Sequence, residues 1–275
     1  MNVGIIIRHC GGEALRKSFQ DAAAQGFRHC QLVSWDPQYW TKENAEEVKA
    51  CVRDFGVEIT AFWCGWEGPK FWNFTEGPET LGIVPVAFRA RRIQNLLEGA
   101  AYARLLGIAD VVTHMGFIPE NMTDPAWPGV VAAVKTVAMD LKRNGQNLLF
   151  ETGQETPVVL LRLFAAVNTG NLFINLDPAN LILYGKGNPI DALDVFGSLV
   201  RGVHAKDGFY PTDGLELGEE VKVGDGKVNF PVFLKRLKEV GYDGSLTIER
   251  EITGEQQIKD ILETQQYLQA LIAQQ

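Results

Sequence analysis

Residues 147–177, NLLFETGQETPVVLLRLFAAVNTGNLFINLD, hold a complete strand–helix–strand unit. Two apolar runs, Asn147–Glu151 and Leu172–Asp177, are short enough to be buried strands, and each closes on a carboxylate. Between them, Thr156–Val167 carries apolar residues at helical spacing. Strands joined this way run parallel, because the helix carries the chain back to the starting edge of the sheet.

The same grammar repeats outward in both directions. Further strand-like runs are Val3–Arg8, His29–Ser34, Glu58–Trp63, Asp110–Thr113, Gly202–His204 with its flanks, and Ser245–Glu249, which brings the count to eight. Helical periodicity marks Ala14–Gly26, Asn44–Phe55, Arg89–Leu106, Val130–Arg143 and Pro231–Val240, and Glu255–Ala273 reads as an amphipathic closing helix. Gly26, Gly56, Gly107, Gly145 and Gly241 each stand after a helix and before the next strand, where a left-handed residue ends a helix. An open doubly wound sheet shares this alternation, but no GxGxxG follows the first strand. Instead Arg8, His9, His114, Glu151, Asp177, His204 and Glu249 all fall at or just past strand ends, which converge on one rim in a closed barrel. The expectation is an α/β protein made of a single (β/α)8 TIM barrel, residues 1–275, with its active site at the C-terminal rim.

Composition agrees with that reading and excludes others. The chain is 46% hydrophobic and 22% charged, as ordinary globular proteins are, and no apolar run is long enough to span a bilayer. The opening MNVGIIIRHC has no basic segment or small-residue cleavage site, so a cytoplasmic location is expected. A formal net charge of −8 argues against nucleic acid as a partner. Cys10, Cys30, Cys51 and Cys64 form no CxxC pair and read as free, mostly buried thiols. The long last helix suggests a homodimer.

Four strand ends carry chemistry: Glu151 in NLLFETGQET, Asp177 in NLFINLDPAN, His204 in VRGVHAKDG and Glu249 in GSLTIERE. Three carboxylates and one imidazole make a hard, oxygen-rich donor set for one divalent ion, Mn²⁺, Mg²⁺ or Co²⁺ before Zn²⁺. Each residue alone has a plainer reading; Asp177 before Pro178 is also placed to cap the next helix.

These stretches resemble the sugar phosphate isomerase/epimerase superfamily, the xylose isomerase-like TIM barrels, across nearly the whole chain. In the family's ketose 3-epimerases a metal is held by a Glu ending strand five, an Asp ending strand six, a His on strand seven and a Glu ending strand eight. The matching positions here are Glu151, Asp177, His204 (in His204-Ala205-Lys206-Asp207) and Glu249, and Val223–Phe230, VGDGKVNF, resembles a family loop. The resemblance implies an isomerase or epimerase of a small carbohydrate or keto-polyol. In it Glu151 and Glu249 pass a proton through a metal-stabilised enediolate. Two departures stand out. Asn180 replaces the family's usual His three residues after the strand-six Asp, and Gln154 and Glu155 do not reproduce the epimerase substrate motif. Four histidines are too few for the trinuclear zinc cluster of the endonuclease branch. A metal-dependent dehydratase of the inosose or dehydroshikimate type, which starts with the same proton abstraction, and a non-catalytic sugar-binding barrel are the alternatives.

Candidate substrate contacts are His114, Lys206, Asn180 and Trp66, each with a plainer alternative. His114 is equally a satisfied rim histidine. Lys206, on the face of His204 by strand alternation, is equally a salt-bridge partner of a neighbouring acid, and Glu251 shares the face of Glu249. Trp35, Trp63, Trp66 and Trp72 suit a sugar ring or ordinary packing. Residues 65–85 form a long loop with the dimensions of a lid. Arg8 and His9 meet substrate or form a rim salt bridge. Gly224 and Gly226 with Lys222 and Lys227 hint at a phosphate site.

Overall fold

The computed structural model describes residues 1–274. Eight parallel strands close into a barrel: β1 (Asn2–Arg8), β2 (His29–Ser34), β3 (Glu58–Cys64), β4 (Asp110–Thr113), β5 (Asn147–Glu151), β6 (Leu172–Leu176), β7 (Val200–Ala205) and, last in the chain, β10 (Ser245–Ile248), which pairs with both β7 and β1. A two-residue antiparallel pair, β8 (Asp207–Gly208) with β9 (Glu220–Val221), occupies the long connection between β7 and β10. The helices are α1 (Gly12–Ala24), α2 (Lys42–Phe55), α3 (Gly77–Thr80), α4 (Val86–Leu105), α5 (Trp127–Arg143), α6 (Pro157–Val167), α7 (Pro178–Leu183), α8 (Pro189–Phe196), α9 (Phe230–Glu239) and α10 (Glu255–Ala273). Among the described residues, no helix is long and apolar enough to cross a membrane.

The expected strands are all present, within one or two residues at most ends. Helices α7 and α8 were not expected, because Gly185, with φ 61°, ends the first after six residues and Pro189 opens the second. The first is too short and too evenly buried to show periodicity, whereas the second buries Pro189, Ala192, Leu193 and Phe196 at helical spacing over only two turns. Each inferred helix-ending glycine has positive φ; Gly56, at 64°, sends its N–H back to the Val52 carbonyl.

Strand alternation sorts the side chains into two layers. Ile7, Leu32, Phe62, Val111, Phe150, Ile174, Val203 and Ile248 point outward into the main core beneath the helices. Val33, Ala61, Trp63, Val112 and Leu149 point inward and plug the barrel axis. That parity decides the site: Glu151 lies two residues beyond inward Leu149, and His114 two beyond inward Val112. By the same alternation Asp177, His204 and Glu249 follow outward Leu176, Val203 and Ile248, so all of them face the axis at the C-terminal rim.

Candidate metal centre and pocket

Glu151, Asp177, His204 and Glu249 each present one donor atom, and these atoms all lie within 4.8 Å of one another. His204 Nδ1 is 3.3 Å from Glu151 Oε1, 3.2 Å from Glu249 Oε2 and 3.7 Å from Asp177 Oδ2. Asp177 caps the next helix and also turns an oxygen toward the cluster. Its Oδ1 accepts the Asn180 N–H at 2.8 Å and caps α7, while its Oδ2 is buried with no hydrogen-bond partner among the described residues. His204 Nδ1 is likewise without a hydrogen bond.

A contact invisible in local sequence explains which imidazole nitrogen faces the acids. Gln31, on β2, donates its Nε2–H to Asn175 Oδ1 at 2.8 Å, which turns its Oε1 toward His204 Nε2, also at 2.8 Å. That oxygen only accepts, so Nε2 carries a proton and Nδ1 is the nitrogen that faces the carboxylates. Gly202 makes room for this relay, since a Cβ there would sit 2.1 Å from Asn175 Oδ1.

The charges ask for a cation at the centre. Burial raises the Glu151 pKa, but His114 and His204 outweigh it and hold the carboxyl well below its usual range. Burial raises Glu249 as well, and Lys206 and then His204 bring it down to about 2. Burial lowers His204, yet Glu151 and then Glu249 raise it well above the ordinary imidazole value. Three converging carboxylates with two orphaned buried donor atoms fit a hard divalent ion, which these four residues would hold.

Around this floor is a pocket of about 430 Å³. Trp63 donates its indole N–H to Glu151 Oε2, and His114 Nε2 stands 3.4 Å from Glu151 Oε1. Lys206 is buried between Asn180 Oδ1 at 3.3 Å, Glu249 Oε2 at 3.4 Å and Glu251 Oε2 at 3.1 Å. Burial lowers its pKa, but Glu251 and then Glu249 outweigh that and raise it well above the ordinary amine value. His114, Lys206 and Asn180 all line the pocket, together with Trp35, Trp63 and Trp72. Gln154 lines it too, and neither head atom of its amide has a well-directed partner among the described residues.

Three sequence expectations require correction. Trp66 does not line the pocket: its side chain is fully buried behind the wall, edge-on to Trp35 and 4.0 Å beneath the Arg92 guanidinium. The apolar tryptophan ring is simply better spent under that cation than in water. His9 turns away from the pocket and hydrogen-bonds the Tyr102 hydroxyl at 2.7 Å. The glycine loop is no phosphate cradle, because Asp207 already fills it. Its carboxylate accepts the backbone N–H groups of Gly208, Gly224, Gly226 and Val228 at 2.9–3.1 Å.

The loop 65–85 is strapped down at both ends. The Arg92 guanidinium donates to the carbonyls of Glu67 and Pro69 near its start and of Thr80 and Gly82 near its finish. Cys30, Cys51 and Cys64 are free and buried, and Cys10 is free and exposed.

A family profile described as the xylose isomerase-like TIM barrel matches residues 19–271. A xylose isomerase domain protein from Planctomyces limnophilus is 33% identical, with a TM-score of 0.91 over 98% of this chain and 96% of that one. An uncharacterized protein of Methanocaldococcus jannaschii, MJ1311, is 27% identical across 87% of this chain and 80% of its own length. A D-tagatose 3-epimerase-like protein, 21% identical, shares the fold with a TM-score of 0.76 over 99% and 97% of the two chains.

Proposed function

Because the chain belongs to the xylose isomerase-like TIM barrel family, we propose that it is a divalent-metal-dependent isomerase or epimerase of a small keto-sugar or keto-polyol. The observation that carries this reading is the four-residue donor set at the pocket floor, three of its members buried, in which Asp177 Oδ2 and His204 Nδ1 have no hydrogen-bond partner among the described residues. A bound Mg²⁺, Mn²⁺ or Co²⁺ would supply Lewis acidity to the substrate's carbonyl and neighbouring hydroxyl oxygens.

The chain's own groups do the rest. Glu151 and Glu249 come from β5 and the end of β10, so they approach the reacting carbon from two sides of the floor. One removes the proton next to the carbonyl, and the other returns a proton to the same or the adjacent carbon. Glu151 keeps one oxygen under the Trp63 indole N–H, which makes it the more strongly held carboxylate. The pocket walls of Trp35, Trp63 and Trp72 give the C–H face of a sugar an apolar surface and exclude water.

Lys206 favours a second reading. Its buried ammonium beside Glu249 is placed to protonate a hydroxide leaving from the β-carbon, which would turn the same abstraction into a dehydration.

The test is solvent exchange. The metal-loaded protein is incubated in D₂O with ketoses, keto-inositols and 3-keto-sugars, with a chelator control, and followed by NMR. Chelator-sensitive deuterium next to the carbonyl, lost in Glu151→Gln and Glu249→Gln, is expected. A product lighter by one water selects the dehydratase. Binding without exchange would make this a sugar-binding barrel.

A further inference from the structure

The pocket's mouth carries positive charge that its floor does not use. Of the cations lining the pocket, Lys206 is neutralised by Glu249 and Glu251. Arg8 and Lys70 also line it, and among the described residues neither has a carboxylate within ion-pair distance. Arg8 is the last inward-facing residue of β1. The β1–β10 register aligns Ile5 with Ile248, so Ile6 is level with Glu249 and Arg8 stands two residues higher. At a strand rise of about 3.3 Å per residue, that is roughly 7 Å above the ligand level, close to the span of a six-carbon chain.

Lys70 reaches the same patch from the strapped loop. Arg8 pairs in register with Val33, Trp35 follows two residues on, and the Lys70 ammonium lies 5.1 Å over the Trp35 ring. Burial lowers the Lys70 pKa and nearby Arg92 lowers it further, and the attraction of an arriving anion would oppose both effects. The glycine loop offers no competing anion site, because Asp207 occupies its N–H groups.

We propose that the pocket selects a carbohydrate bearing an anionic group, carboxylate or phosphate, at the end remote from its carbonyl, and that Arg8 and Lys70 read that group. The inference rests on the carbonyl end lying at the proposed metal centre. Arg8 offers a planar fork that matches two anionic oxygens at once, while Lys70 adds a point charge from the side.

The experiment titrates the Mg²⁺-loaded protein with D-fructose, D-fructuronate and D-fructose 6-phosphate, read by quenching of tryptophan fluorescence. At least one anion is expected to bind about tenfold or more tightly than D-fructose, as a charge-assisted contact predicts. Arg8→Gln should bring it down to the level of D-fructose, with a smaller loss in Lys70→Gln. The anion that gains from Arg8 identifies the group. Equal affinities, failure of both anions to bind, or a preference that survives in the double variant overturns the proposal. Deuterium exchange is scored on the same samples. Exchange without anion preference removes this inference and leaves the proposed function standing, whereas anion preference without exchange does the reverse.

Discussion

Gln31 on β2 holds His204 on β7 across the barrel interior, amide oxygen to Nε2 at 2.8 Å, and thereby decides which nitrogen faces the acids. Gln31→Leu keeps the volume and removes the acceptor. Metal affinity, measured by calorimetric titration with Mn²⁺, should fall about 10- to 100-fold, the usual cost of losing a partner behind a ligating imidazole. An unchanged affinity would show that the Nδ1 assignment does not depend on this contact.

Asp177 divides its two oxygens between cap and centre, so its roles separate by substitution. Asp177→Asn retains a capping oxygen, and its metal-free melting temperature should match or exceed the parent's, since a repelling charge is gone. It should lose most of the upward shift that added Mn²⁺ gives the parent. Asp177→Ala loses the cap as well and should be about 1 kcal/mol less stable than Asp177→Asn in the absence of metal.

Glu155 is fully buried, and neither carboxylate oxygen has a hydrogen-bond partner among the described residues. Burial raises its pKa to about 7 from the ordinary 4.5, with His114 pulling the other way. The unfolded chain therefore loses this proton at lower pH than the folded one. Stability is fully present below pH 4.5 and drains away as pH rises through 7. Glu155→Gln escapes the loss, so urea unfolding should show little difference from the parent at pH 4.5 and a gain on the order of 3 kcal/mol at pH 8. Equal stabilities at pH 8 would mean that a counter-charge reaches Glu155.

Asp207 satisfies four backbone N–H groups of its own and the neighbouring loop. Removing it in Asp207→Ala leaves buried donors unpaired, at a cost on the order of 3 kcal/mol or more. Faster hydrogen exchange should be confined to residues 222–228 if the loop loosens alone. Gly226→Ala should mimic it, because a Cβ there would sit 2.2 Å from Asp207 Oδ1.

The barrel and the convergence of Glu151, Asp177, His204 and Glu249 on one rim were legible in the sequence because both depend on local rules. An apolar run with a period of two fixes which residues face inward, and a polar residue at its C-terminal end must then reach the rim. Gln31 escaped that logic. It lies 173 positions from His204, and within HCQLVS it is an unremarked polar residue. The available signal was a buried-parity amide in the middle of an apolar strand. Trp66 was misplaced for the opposite reason: sequence put it next to Trp63 and Trp72, but only the fold shows Arg92 arriving from α4 to cover it. The filled glycine loop likewise needed Asp207, whose carboxylate turns back on its own chain.

The Arg92 strap has a kinetic meaning. With Glu67, Pro69, Thr80 and Gly82 pinned to one buried guanidinium, the loop beside the pocket cannot swing as a unit. Any gating is left to the short crest at 70–76, where Trp72 meets His114 and Phe71 is already tied to Thr80. The ordering entropy of this wall is therefore spent when the chain folds, not when a sugar arrives, and a guest should enter a cavity whose shape was set beforehand.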